Sequence, residues 1–150
     1  MYKIYIKKDS DTKTFLEEVL KIYGYSKKNI VYNEYRKPFI KDNELYFSVS
    51  HDRNLIVIVV SDKCIGVDLQ FLTYDEKVLK KAYTEKEIEI LKQSNNRLYD
   101  FTKMWTMKEA YVKFLGKGLT YDFKRIETLN IINEYEFIEN KDYIIAIYSK

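Results

Sequence analysis

Alternation opens the chain: Tyr2, Ile4 and Ile6 share one face of residues 2–7, which predicts a strand. Phe15, Leu16, Val19, Leu20 and Tyr23 then recur at helical spacing. Ser10 or Asp11 is placed to cap that helix and Gly24 to stop it. Residues 30–35 predict a second strand, running into Arg36-Lys37-Pro38, where the only proline fixes a turn beside two cations. Three closely spaced strands follow, at residues 45–51, 55–61 and 64–70. The middle one begins Leu-Ile-Val-Ile-Val-Val, apolar at every position, as in a strand covered on both faces.

Helical periodicity takes over from about residue 75 to residue 93, with a break near Thr84. Thr84-Glu85-Lys86-Glu87 has the spacing of a capping box, and its charges are expected to lie on a solvated face. Asn95-Asn96 separates this region from a longer helix that starts near Leu98 and is stopped by Gly116 and Gly118. At about 100° per residue, Leu98, Phe101, Trp105, Glu109 and Val112 of that helix fall within a wedge of roughly 80°. Glu109 therefore sits inside an apolar stripe, where an unpaired carboxylate is costly and calls for a cation. An i,i+4 salt bridge to Lys113 is the plain way to supply one. Strands are predicted at residues 123–132, 135–138 and 143–148, with residues 139–142 turning the last hairpin. The order β-α-β-β-β-β, then α-α-β-β-β, predicts an α+β fold of two similar α/β halves, residues 1–66 and 67–150, packed around a shared core with the active site between them.

Turn lengths set which side chains meet. A two-residue turn at Asp62-Lys63 would pair Ser61 with Cys64 and set Val57 opposite Asp68. A turn of Asp52-Arg53-Asn54 would pair His51 with Leu55, so that His51, Asp68 and Gln70 point the same way. A change of one residue in that loop reverses the conclusion for His51.

Composition narrows the classes. A chain of 150 residues that is 46% hydrophobic can bury a core, which excludes global disorder. A single cysteine, Cys64, excludes an internal disulfide and a cysteine-based zinc site. A net charge of +3 is too small to argue for nucleic acid, though it suits an anionic ligand or an acidic partner. No signal peptide and no apolar run near the ~20 residues of a membrane span are present, so the expectation is a cytoplasmic monomer that engages no membrane.

Two blocks carry chemistry: Phe47-Ser48-Val49-Ser50-His51 with Ile65-Gly66-Val67-Asp68-Leu69, and Trp105-Thr106-Met107-Lys108-Glu109 through Lys113 to Gly116-Lys117-Gly118-Leu119. In order and spacing they closely resemble the 4′-phosphopantetheinyl transferases of the Sfp type, which join two similar α+β halves in one chain. That family's signatures are a strand ending Ser-His, a Gly-[Ile/Val]-Asp strand about fifteen residues on, and a Trp-x-x-Lys-Glu-x-x-x-Lys helix; all are present, and Lys37-Pro38 matches a Lys-Pro ahead of the Ser-His strand. The resemblance spans roughly residues 11–125.

It implies transfer of the phosphopantetheine arm of coenzyme A to a serine of an apo acyl or peptidyl carrier protein, with release of adenosine 3′,5′-bisphosphate. It also implies a Mg²⁺ ion, or Mn²⁺ in its place, on Asp68 and Glu109 with Gln70 at a third position. Glu109 is the implied base, and Lys113 contacts the phosphates and stabilises the departing nucleotide. Ser50, His51, Lys37 and Lys13 are the implied coenzyme A contacts, and Trp105 packs the helix in place. Departures from the pattern are Gln70, where many relatives carry Glu, and Asp52, which adds negative charge beside a proposed phosphate site. The chain is also shorter than two-half members, with the missing length expected at the N-terminus. They motivate the alternative of a catalytically weak or inactive member that binds coenzyme A or a carrier protein.

Overall fold

The computed structural model describes residues 1–43 and 45–150. Its elements run β1 (Tyr2–Lys8), α1 (Thr12–Ile22), β2 (Ile30–Tyr32), β3 (Pro38–Ile40), β4 (Tyr46–Asp52), β5 (Leu55–Ser61), β6 (Ile65–Phe71), α2 (Glu76–Ala82), α3 (Glu85–Gln93), α4 (Arg97–Leu115), α5 (Thr128–Ile131), β7 (Tyr135–Glu139) and β8 (Tyr143–Ser149). The mixture of helix and sheet agrees with the α+β expectation.

The all-apolar strand β5 is central, with β1 on one edge and β4 on the other, both antiparallel. A second antiparallel sheet has the order β6-β8-β7, and β2 and β3 form a separate hairpin. Strand alternation then builds layers. Ile56, Ile58 and Val60 of β5 pack with Phe15, Val19 and Leu20 of α1. Leu55, Val57 and Val59 face the second sheet and pack on Val67, Leu69, Ile145 and Ile147. On that sheet's far side Ala146 and Tyr148 meet Met107 and Ala110 of α4. The order is helix, sheet, sheet, helix, and α2 and α3 cover α4 through Leu79, Tyr83 and Leu91.

The hairpin expected between β5 and β6 does not form, because both edges of β5 are already occupied. Instead β6 lies beside β4 and is joined to it by side chains. Ser48 Oγ accepts from Val67 N at 3.0 Å, Ser50 Oγ from Leu69 N at 3.0 Å, and Asp52 Oδ2 from Phe71 N at 2.8 Å. Each rung is worth about 1 kcal/mol net, but losing one would strand an N–H of β6. The β4–β5 loop holds only Arg53 and Asn54, so His51 pairs with Ile56. That is the one-residue change that turns His51 to the α1 side, away from Ser50 and Asp52.

Other expectations also change. The second strand stops at Tyr32, because Asn33 Oδ1 accepts from Tyr35 N and Lys37 N and turns the chain there; Pro38 then begins β3. Residues 123–132 are turns and the short α5 instead of a strand. The carbonyls of Phe123 and Ile126 are occupied by the ammonium of Lys108, at 3.0 and 2.6 Å, and are not free for a ladder. Lys108 also pairs with Glu87 Oε1 at 2.8 Å, and both side chains are fully buried. Glu87, expected on a solvated face, is therefore an internal anchor between α3, α4 and Thr128. The capping box itself is present, with Thr84 N donating to Glu87 Oε1. Among the described residues no helix is long and apolar enough to cross a membrane.

Gly66 sets the spacing of the second sheet against α4. A Cβ there would lie 2.0 Å from the Ala110 carbonyl oxygen and 2.5 Å from the Phe114 nitrogen, both backbone atoms that cannot step aside. Gly66→Ala is expected to cost at least ~3 kcal/mol, read as a lower urea midpoint of unfolding.

Candidate active site

Helix α4 is buried on most of its circumference, through Phe101, Thr102, Met104, Thr106, Met107, Lys108, Ala110 and Val112, and is not the single-striped helix expected. The threonines enter its interior by turning their hydroxyls onto the backbone, Thr102 to Leu98 O at 2.8 Å and Thr106 to Thr102 O at 2.6 Å. Asn96 caps its start, and Gly116, left-handed at φ 70°, ends it. Its last carbonyls are taken by the preceding loop: Lys37 Nζ donates to Lys113 O and Phe114 O, and Asn33 Nδ2 to Gly116 O at 2.8 Å. Burial holds the Lys37 ammonium below its usual range, against the opposing influence of nearby Cys64.

Gly66 and Asp68 point to the same side of β6, so the close approach at Gly66 brings Asp68 against α4. Asp68 is 3% exposed and receives three donors. Lys113 Nζ donates to its Oδ1 at 2.8 Å, Ser50 Oγ to the same oxygen at 2.9 Å, and Gln70 Nε2 to Oδ2 at 2.9 Å. Lys113 thus pairs across to β6, not along its own helix to Glu109. Among the described residues no donor reaches the Glu109 carboxylate within hydrogen-bonding distance. Burial first, and the negative charge of Asp68 second, push Glu109 up from 4.5 to about 7, with Lys113 opposing.

A cleft of about 290 Å³ opens beside this cluster, between the loop of Tyr35 to Pro38, the edge of β4 at Phe47 to Val49, and the end of α4 at Val112, Lys113 and Gly116. Lys113 belongs both to the cleft and to the Asp68 pair. His51 is exposed and follows Val49 on the same face of β4, one pleat beyond the cleft wall. Lys13 is exposed in the first turn of α1. The Asp9 N bond to Asn54 O at 2.9 Å ties the loop entering α1 to the end of β4, so Lys13 and His51 gather at one end of the first sheet.

Asp68, Gln70, Glu109 and Lys113 are therefore brought together, while His51 and Lys13 lie apart from them, on the α1 side of the first sheet. Ser50 is buried, with its one hydroxyl proton given to Asp68 and its oxygen accepting from Leu69 N. Lys37 contributes to the cleft wall but spends its ammonium on the helix end. Asp52 is bonded to Phe71 N on the opposite face from His51, so its charge is not beside that imidazole. Trp105 packs on Phe123, with ring centroids 5.1 Å apart. Ser-x-Ser-x-Asp on the face of β4 opposite Phe47 and Val49 was the one signal of the rungs to β6.

The donor set suits a hard divalent cation. Two carboxylates lie close together, Glu109 without a hydrogen-bond donor among the described residues, and their mutual repulsion is what a cation relieves. Among the described residues no cluster of three or more His, Cys, Asp or Glu surrounds it, and the Gln70 amide is the further side-chain oxygen beside the two carboxylates.

A model of the 4′-phosphopantetheinyl transferase superfamily matches residues 64–147, which contain Asp68, Gln70, Glu109 and Lys113. The chain is 33% identical over 106 residues to the 4′-phosphopantetheinyl transferase gsp of Aneurinibacillus migulanus, covering 67% of this chain and 44% of that protein. It is 32% identical over 108 residues to the 4′-phosphopantetheinyl transferase of Bacillus subtilis, covering 67% of this chain and 47% of that one. A holo-[acyl-carrier-protein] synthase of Wolbachia pipientis wMel is 34% identical over 96 residues, covering 56% of this chain and 78% of that protein. The chain thus spans less than half the length of the first two relatives and most of the third. With the family's model covering more than half of its residues, the chain belongs to the 4′-phosphopantetheinyl transferase superfamily.

Proposed function

We propose that the chain transfers the 4′-phosphopantetheine arm of coenzyme A to a serine of an apo acyl or peptidyl carrier protein, releasing adenosine 3′,5′-bisphosphate. The observation that carries this reading is the meeting of Asp68 and Glu109 with Lys113, which itself lines the cleft. The serine oxygen bonds to the β-phosphorus as the bond from that phosphorus to the bridging oxygen of the nucleotide breaks. Glu109, the half-buried carboxylate beside Asp68, is the group placed to accept the serine proton. Lys113, standing in the cleft with its charge aimed at Asp68, balances negative charge on the departing phosphate. His51 and Lys13 offer positive or hydrogen-bonding groups to the remaining phosphate of the nucleotide.

A Mg²⁺ or Mn²⁺ ion would be held by Asp68 and Glu109, with the Gln70 amide oxygen as a neutral third donor. When bound it would neutralise the pyrophosphate. Residues 1–66 and 67–150 are read as two similar halves with the site between them. The sheet orders β1-β5-β4 and β6-β8-β7 support this, since in each the first strand pairs with the last and the penultimate strand lies outside. The family match beginning at residue 64, just before β6 opens at Ile65, supports a division a few residues earlier, at the link before β6, so that the whole strand belongs to the second half.

Mass spectrometry of an apo carrier protein incubated with the chain, coenzyme A and Mg²⁺ tests the reaction directly. Gain of one phosphopantetheine by the carrier is the expected result, and an unmodified carrier with bound coenzyme A would instead favour a non-catalytic binder. Asp68→Ala and Glu109→Ala are each expected to lower turnover by about 10³-fold while the fold survives.

Glu109 also predicts a pH dependence of stability. Its folded value of about 7 lies above the ordinary 4.5, so between those values the folded chain holds more proton than the unfolded one. Stability is then lost as pH rises through that window. In EDTA, Glu109→Gln is expected to match the wild type near pH 4 and to exceed it above pH 7 by ~1–3 kcal/mol in urea unfolding. Gln70→Glu replaces a donor to Asp68 with a third carboxylate. It is expected to lower the melting temperature in EDTA and to lower the Mg²⁺ concentration for half-maximal transfer.

A further inference from the structure

The sequence resemblance casts Ser50 as a contact to coenzyme A, but in this structure its hydroxyl is turned to the protein interior. It is 5% exposed on the side of β4 that faces the second sheet. Its single hydroxyl proton goes to Asp68 Oδ1 at 2.9 Å, and its oxygen accepts the Leu69 N–H at 3.0 Å. The same Asp68 oxygen takes the Lys113 ammonium at 2.8 Å. One hydroxyl thus holds the backbone immediately after Asp68 and also one of the two carboxylate oxygens.

The neighbouring rungs separate these two tasks. Asp52 makes an equivalent bond to the backbone of β6, at Phe71, without touching Asp68. A residue that only joins the strands would behave like Asp52. A residue that orients the acid would affect Lys113 as well, because Ser50 and Lys113 approach one oxygen from different elements, β4 and α4. With Ser50 removed, Oδ1 keeps Lys113 and Oδ2 keeps Gln70, but the short donor fixed to β4 is gone and Leu69 N–H loses its partner, so the carboxylate is held only by two long side chains and gains freedom about its χ2.

We propose that Ser50 is a positioning residue that sets the rotamer of Asp68 and, through it, the place of the Lys113 ammonium at the cleft. This rests on the transfer reading above. The site then depends on a side chain that touches neither substrate.

The test compares Ser50→Ala, Ser50→Thr and Asp52→Ala with the wild-type chain. It reads kcat and KM for coenzyme A, thermal unfolding, and by NMR the amide exchange of Leu69 and the side-chain ammonium of Lys113. The Lys113 signal is assigned by its loss in Lys113→Arg. Ser50→Ala is expected to lower kcat about tenfold or more with KM for coenzyme A within about twofold, and to lose the slowly exchanging Lys113 signal. Ser50→Thr, which keeps the hydroxyl, is expected to restore both. Asp52→Ala is expected to lower the melting temperature about as much as Ser50→Ala, with kcat within about twofold of wild type. A rise in KM for coenzyme A at unchanged kcat in Ser50→Ala would assign the hydroxyl to the nucleotide and overturn the proposal. Equal kcat losses in Ser50→Ala and Asp52→Ala would reduce Ser50 to a strand fastener and also overturn it. Should Ser50→Ala fail to fold, Ser50→Cys, of similar shape but a poor donor, carries the same comparison. If the wild-type chain transfers nothing to an apo carrier, the transfer reading fails. The Lys113 signal then decides alone: its survival in Ser50→Ala overturns the positioning role, and its loss supports it.

Discussion

The structure depends on how β4 and β6 lie side by side without a backbone ladder. Ser48, Ser50 and Asp52 supply acceptors at every second position, and Val67, Leu69 and Phe71 supply the N–H groups that meet them. Everything that makes a site follows from that juxtaposition. It frees the backbone of β4 to complete the first sheet with β5, while β6 completes the second with β8. It also places the far side of β6, with Gly66 and Asp68, under helix α4. Polar side chains at a sheet junction are expensive to bury without partners, and here each accepts a backbone N–H of β6.

Helix α4 is the second fixed point, and it is held from both ends and from behind. Its N-terminus is capped by Asn96, its C-terminus by Lys37 and Asn33, and its middle by the buried Lys108–Glu87 pair. A buried ion pair is weak evidence of stability in itself. Its value here is geometric, since Lys108 also gathers the carbonyls of Phe123 and Ile126. Adjacent residues of the helix so face opposite fates. Lys108 is paired and inert inside the protein, whereas Glu109, one residue later, has no hydrogen-bond donor among the described residues and is raised to about 7.

Local patterns in the sequence carried most of the elements. Phe15 to Tyr23 announced α1, the apolar run of β5 announced a central strand, and Gly116 announced the end of α4. Asp68, Glu109 and Lys113 were legible as a group through their motif. What the sequence hid was pairing over distance. A short connection at Asp62-Lys63 looks like a hairpin, but whether β5 has a free edge depends on β1, about fifty residues earlier in the chain. Glu87 looked solvated, since nothing local reveals that Lys108 will need a buried partner. The turns after Phe123 looked like a strand because their apolar residues are real, while their carbonyls go to an ammonium on another element.

The side-chain junction between the sheets also has a consequence for exchange of parts between relatives. A continuous sheet demands that a transplanted strand match its neighbour along the whole backbone. The junction here demands only a phase: a small hydroxyl or carboxylate at alternating positions of one strand, in step with the N–H groups of the other. The covalent link between the two sheets is the short stretch from Asp62 to Cys64, which belongs to neither. A chimera cut at that link could therefore accept a foreign second sheet of different sequence. A shift of one residue would be fatal to it, because Phe47, Val49 and His51 would then be turned toward the backbone that Ser48, Ser50 and Asp52 now hold.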